Sequence, residues 1–133
     1  MSTIPGPYNA NAVLLQRLEG AAALGLGIAA YVTLGQSWLM FALLFFVPDL
    51  FMAGYLRSPR FGALTYNLVH TYAAPALLAL AGLVLGPLAY AVAAIWVAHI
   101  GFDRMLGYGL KFETSFQHTH MGPIGKARSQ QSI

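Results

Sequence analysis

The sequence predicts an all-α, polytopic membrane protein, a bundle of four transmembrane helices with both termini on the cytoplasmic side. Three observations predict it. Of 133 residues, 58% are hydrophobic and 8% are charged, where a soluble domain places roughly a quarter of its residues in Asp, Glu, Lys and Arg. The apolar residues fall into four long stretches divided by short breaks, each near the roughly 20 residues a helix needs to cross about 30 Å of hydrocarbon. The seven basic residues gather at one edge of those stretches, as the bias of Lys and Arg toward the cytoplasm requires.

Residues 1–12 form an N-terminal segment in which Pro5 and Pro7 favour an irregular path, without the basic start, apolar core and cleavage site of a leader. The transmembrane domain is expected over 13–110. Its first helix, 13–34, carries Arg17 and Glu19 in its opening turns. The second, 38–56, has Asp49 as its one charge; Pro48 before it lacks an amide proton and frees the Leu44 carbonyl, so a bend is expected there. The third, 61–85, has no formal charge but contains Asn67 and His70. Gly86-Pro87 leads into the fourth, 88–110, whose lower third holds Asp103 and Arg104. Residues 111–133 are expected to be a polar cytoplasmic tail along the surface, rich in Ser, Gln, Gly and Thr, where Lys126 and Arg128 can lie against anionic headgroups. Within it, His118 and His120 read as surface histidines. Tyr31, Trp38 and Tyr90 near the outer edge, and Tyr55 and Tyr108 near the inner one, are expected in aromatic belts. Ala21, Gly25 and Ala29, like Ala94 and Ala98, place small residues four apart and predict close helix contacts.

Composition excludes several function classes. With no cysteine, disulfides, thiolate metal sites and catalytic thiols are ruled out. A net charge of +3 reached with so few charges is no basic patch, so nucleic acid is not an expected partner. The lipid bilayer is, together with a larger membrane complex or a second copy of the chain on the apolar outside. No phosphate loop, dinucleotide fingerprint or nucleophile elbow occurs.

The informative residues are the polar ones inside the apolar spans. Glu19, Asp49, Asp103, His70 and His99 all lie there, although a charged side chain near the bilayer centre costs about 2.5 to 3.5 kcal/mol on insertion scales. At about 1.5 Å per residue, Asp49, His70, His99 and Asp103 lie roughly 12 to 18 Å along their helices from the basic edge, at similar depth on three helices. His99 and Asp103, four apart, share a face of their helix, as do Asn67 and His70, three apart. Two carboxylates and two imidazoles form a ligand set for a divalent metal, zinc, iron or manganese. An open position on such a metal holds water and lowers its pKa, which suits hydrolysis of a membrane-proximal substrate. In that reading Asp49, His70, His99 and Asp103 are the ligands, Asn67 or Glu19 supports them or accepts a proton, and Arg104 clamps an anion. The alternative is non-catalytic: the same residues pair with one another or with Arg104, pin four helices together, and leave the chain as an accessory subunit. Proton or solute passage is a third reading, opposed by the apolar outer halves of the helices.

The run His99-Ile-Gly-Phe-Asp103-Arg104-Met-Leu-Gly107-Tyr108-Gly109-Leu-Lys111-Phe112, followed by Phe116, Thr119-His120 and Gly122-Pro-Ile-Gly125, resembles the C-terminal signature of the small bacterial membrane proteins of domain of unknown function 4260. Asp49 after a proline and Asn67-x-x-His70 fit the same pattern. The resemblance implies a four-helix protein of the bacterial inner membrane, without a defined activity. More distantly, the Asp, His and His-x-x-x-Asp series is similar to membrane-bound metal-dependent hydrolases, which favours the metal reading by analogy.

Overall fold

The computed structural model describes residues 10–111 and 118–124. Its elements are α1 (Ala10–Leu34), α2 (Trp38–Phe45), a 3-10 helix (Val47–Leu56), α3 (Pro59–Val69), α4 (Ala73–Leu85), α5 (Pro87–Leu106) and two short strands, β1 (His118–Thr119) and β2 (Gly122–Pro123). Among the described residues the architecture is helical apart from that two-residue antiparallel pairing.

The core is built around α5, which buries Ala91, Ala94, Ile95, Ala98, His99, Ile100 and Gly101 among others. Its main neighbour is α1, and the two backbones meet through glycine. A Cβ on Gly101 would lie 2.5 Å from the Leu24 amide nitrogen and 2.6 Å from the Gly20 carbonyl oxygen; one on Gly27 would lie 2.8 Å from the Ala94 carbonyl oxygen. Small residues let helices approach this closely, and dispersion over the contact then holds them. The expected seam is half right. Ala94 and Ala98 do face α1, but α1 answers with Gly20, Gly27 and Tyr31, while a Cβ added at Gly25 would meet no atom within 4 Å and Ala29 is exposed. The seam follows spacings of seven and four, and a four-residue repeat starting one position late misses it. Arg17 closes its lower end by donating from Nε to the Met105 carbonyl at 2.8 Å. At the upper end Tyr31 is wholly buried, not in an interfacial belt: its hydroxyl donates to the Ser37 carbonyl, and its ring meets Trp38 and Phe41 edge-on or tilted.

Local chemistry sets the remaining boundaries. Ser37 caps α2 and Ser58 caps α3 by accepting backbone N–H bonds, the second at 3.0 Å from Phe61, with Pro59 in the first turn of α3. At Pro48 the second predicted helix changes from α to 3-10 geometry, as its missing amide leads one to expect. The third is broken, contrary to the continuous helix predicted over 61–85: α3 ends at Val69 and α4 begins at Ala73, at 42° to it. Pro75 is the cause, since its ring occupies the space that the Thr71 carbonyl would need in an unbroken helix. Gly107, at φ 93°, takes the left-handed conformation and ends α5 at Leu106, four residues short of the predicted end.

By length and apolarity, α1 and the 19 residues Trp38–Leu56 qualify as membrane-crossing helices, and α3 with α4 gives a third if the bent pair is one span. α5 holds His99, Asp103 and Arg104 in its last two turns and does not qualify, so two or three spans stand where four were predicted. The outer surface is largely apolar, with Leu26, Leu39, Leu50, Leu80, Leu83 and Val84 among its exposed side chains, a surface suited to lipid more than to water. The tail is more than a surface strand: the His120 amide donates to the Leu110 carbonyl at 2.8 Å, the Leu110 amide donates to His120 Nδ1 at 2.7 Å, and Met121 is buried. Burial also lowers the pKa of His120. Residues 1–9, 112–117 and 125–133, including Lys126 and Arg128, lie outside the described residues.

Candidate metal centre

Four side chains from three regions of the chain meet at the lower end of α5. Asp49 comes from the 3-10 helix just after Pro48, His70 from the residue that caps α3, and His99 and Asp103 from successive turns of α5. One donor atom from each lies within 4.8 Å of all the others. His70 Nε2 is 3.3 Å from Asp49 Oδ1 and 3.4 Å from Asp103 Oδ2, while His99 Nε2 is 3.2 Å and 3.3 Å from the same two oxygens. The two imidazole Nε2 atoms face each other at 3.2 Å. Both histidines are 1% exposed, Asp103 is 14% exposed and Asp49 33%, so the cluster is most open at the Asp49 edge.

The orientation of His70 is fixed from behind. Its Nδ1 lies 2.8 Å from the Tyr66 carbonyl, which can only accept, so Nδ1 carries the proton and Nε2 turns toward the cluster. The Tyr66 ring stacks on the imidazole at 3.7 Å and 9°, four residues earlier on the same helix face. Arg104 Nη2 donates to the His70 carbonyl at 3.0 Å and Nη1 to the Tyr108 carbonyl at 3.2 Å. The break after α3 thus keeps its polar backbone satisfied inside the bundle, a condition for irregular backbone at membrane depth. His99 is flanked by Phe45, edge-on at 5.2 Å, and its Nδ1 is buried without a hydrogen-bond partner among the described residues.

The other residues singled out in the sequence occupy different places. Asn67 accepts from the Lys111 amide at 2.7 Å and donates to the Lys111 carbonyl at 2.8 Å, latching α3 to the chain beyond α5. Arg104 is buried on backbone carbonyls, neither snorkelling to headgroups nor directed at the donor atoms. Glu19 is exposed on α1 and is not one of the four clustered groups. Tyr66, one turn before His70 in the sequence, stands beside it as that spacing leads one to expect, and Lys111, which reads as a tail charge, also belongs around the site. The Lys111 ammonium lies 4.7 Å over the outer face of the Tyr66 ring and is buried. Burial pushes its pKa down to about 8, against the opposing pull of Asp103 and Asp49.

The fold and site define a helical, membrane-type protein with a buried His2Asp2 donor cluster. The family model for the domain of unknown function DUF4260 matches residues 13–124, and the chain belongs to that family. No curated protein and no solved structure matches it, so the likeness to metal-dependent hydrolases rests on the residues alone.

Proposed function

We propose that this is an integral membrane protein of the bacterial inner membrane whose Asp49, His70, His99 and Asp103 bind one divalent metal, zinc, iron or manganese. The observation that carries this reading is the set of contacts among the four donor atoms. Five of the six pairwise distances fall between 3.2 and 3.4 Å, and the sixth, from Asp49 to Asp103, lies within 4.8 Å. Donor atoms that share one metal ion come this close because each lies about 2.0 to 2.2 Å from it.

Charge and proton placement support the same reading. Two carboxylates and two neutral imidazoles balance a dication. Without one, His70 already donates through Nδ1, and its Nε2 lone pair would face two carboxylate oxygens and a second imidazole nitrogen. Pairing both histidines with the carboxylates instead requires an Nε2–H tautomer at His99 and an extra proton on His70, and the two Nε2–H groups would then oppose each other across 3.2 Å. Tyr66, through its carbonyl and its ring, holds His70 as a ligand, the arrangement that sets tautomer and ring angle in metal sites.

The chemistry such a metal supplies is polarisation of a carbonyl and activation of water at neutral pH. Asp49, the most exposed ligand and the one on a 3-10 segment, marks the side from which substrate reaches the centre. In hydrolysis there, water would add to the acyl carbon and its proton would pass to the leaving oxygen or nitrogen as that bond breaks. Both termini are cytoplasmic in this reading, and α5 crosses the membrane as a fourth helix shielded by its neighbours.

Protein purified in mild detergent without chelators, then offered zinc and dialysed, is expected to retain about one metal per chain by elemental analysis. His70→Ala and His99→Ala should lose it. Wild-type protein that holds no metal after reconstitution would overturn the proposal and leave the cluster as a packing network in an accessory subunit of a larger membrane complex.

A further inference from the structure

The next turns of α5 above His99 form the wall of an apolar cavity of about 180 Å³, whose lining includes Pro48, Phe51, Val69, Val92, Ile95 and Trp96. Ile95 is one turn before His99, and Val92 is a turn further, so the face that carries Asp103 and His99 continues as the cavity wall. The other walls adjoin the remaining ligands, with Pro48 preceding Asp49 and Val69 preceding His70. Trp96 donates from its indole nitrogen to the Val69 carbonyl at 2.6 Å, which fixes the ring and removes its polar atom from the lining. The basic residues Arg104 and Lys111 lie at the opposite end of the centre. A polar head at the donor cluster and an apolar pocket that adjoins it along α5 and at Pro48 and Val69 match the shape of an amphiphile whose chain runs toward the bilayer interior.

The geometry points to this cavity as the seat of one hydrocarbon chain of the substrate, which makes the substrate a single-chain acyl ester or amide lipid. This rests on the metal reading and names the substrate class for that site. A cavity of about 150 Å³ accommodates a six-carbon ring, so this one takes about six or seven carbons next to the cleaved group, and any longer chain leaves toward the lipid. No equivalent compartment is needed for a structural metal, and a water-soluble substrate would leave an apolar cavity unused.

The test uses linear alkyl hydroxamates, which join a metal-binding head to a chain of chosen length, titrated against zinc-loaded full-length protein in one detergent. Binding should tighten by about fourfold per methylene, the value for burying one such group, and level off near six or seven carbons. Val92→Phe, which fills the cavity, should level off two or three carbons earlier. Phe51→Ala, at a partly exposed position that tolerates truncation, should extend the rise to longer chains. Because all three proteins share the detergent, partition into micelles cancels between them. Superimposable chain-length profiles for three proteins of equal zinc content would overturn the chain seat and leave the metal centre standing. Wild-type protein without zinc would overturn both, and that outcome is read by elemental analysis before any hydroxamate is added.

Discussion

The α1–α5 seam and the donor cluster share α5 but are built in opposite ways. In the seam both helices are regular, and contact is made where side chains are missing, at Gly20, Gly27 and Gly101. At the cluster only α5 stays regular. Asp49 sits in a 3-10 segment behind a proline, and His70 sits at a break whose freed carbonyl is taken up by Arg104. The difference shows how a small bundle keeps polar groups in an apolar interior: one helix is held rigidly by backbone packing, and irregular backbone beside it turns side chains inward that a straight helix would spread around its circumference.

Disturbing the seam should therefore cost more stability than any change at its edges. Gly101→Val places a branched side chain against the backbone of α1, which cannot move aside as a flexible side chain can, and is expected to cost about 3 kcal/mol or to prevent folding. Thermal unfolding in detergent reads this directly. Near-wild-type stability would mean that the helices are held elsewhere.

A smaller effect separates the cluster's surroundings from the seam by pH. The Lys111 ammonium loses its proton at about 8 in the folded chain and near 10.5 when unfolded. Between those values the unfolded state binds more protons, so stability should rise with pH, by on the order of 2 kcal/mol, and the cost of burying the charge is felt in full below pH 8. Lys111→Met should abolish the rise, whereas a seam variant should retain it. An unchanged pH profile in Lys111→Met would assign the rise to other groups.

The smallest effect is expected at Gly25, on the same helix as the seam but facing open space. Gly25→Ala should be neutral or stabilising by up to about 1 kcal/mol. A loss comparable to that of Gly101→Val would contradict the assignment of the α1 face.

The same contrast explains what is legible in the sequence. Helix content, the polar groups at common depth and the four members of the cluster follow from apolar runs and from counting residues along them, because burial penalises charge strongly enough to make each exception informative. The change to 3-10 geometry at Pro48 follows from a missing amide. The break at His70 is harder to read although Pro75 signals it, since an apolar run on both sides looks like one helix until the lost hydrogen bond is counted. Arg104, Asn67 and Lys111 have no such signal, because their partners are backbone atoms or rings 34 to 45 positions away, such as the Arg104–His70 and Asn67–Lys111 pairs. Spacing along one helix predicts what shares a face, but it does not predict which backbone carbonyl a distant break leaves free.

Everything proposed for the site depends on the four donor atoms surrounding one metal ion. X-ray absorption at the zinc edge of reconstituted wild-type protein examines those atoms themselves. Nitrogen or oxygen neighbours at about 2.0 to 2.2 Å are expected, four from the protein and the rest from water, with the outer-shell scattering of two imidazole rings. Zinc that dialyses away, or that is held by light atoms without imidazole scattering, would contradict the assignment.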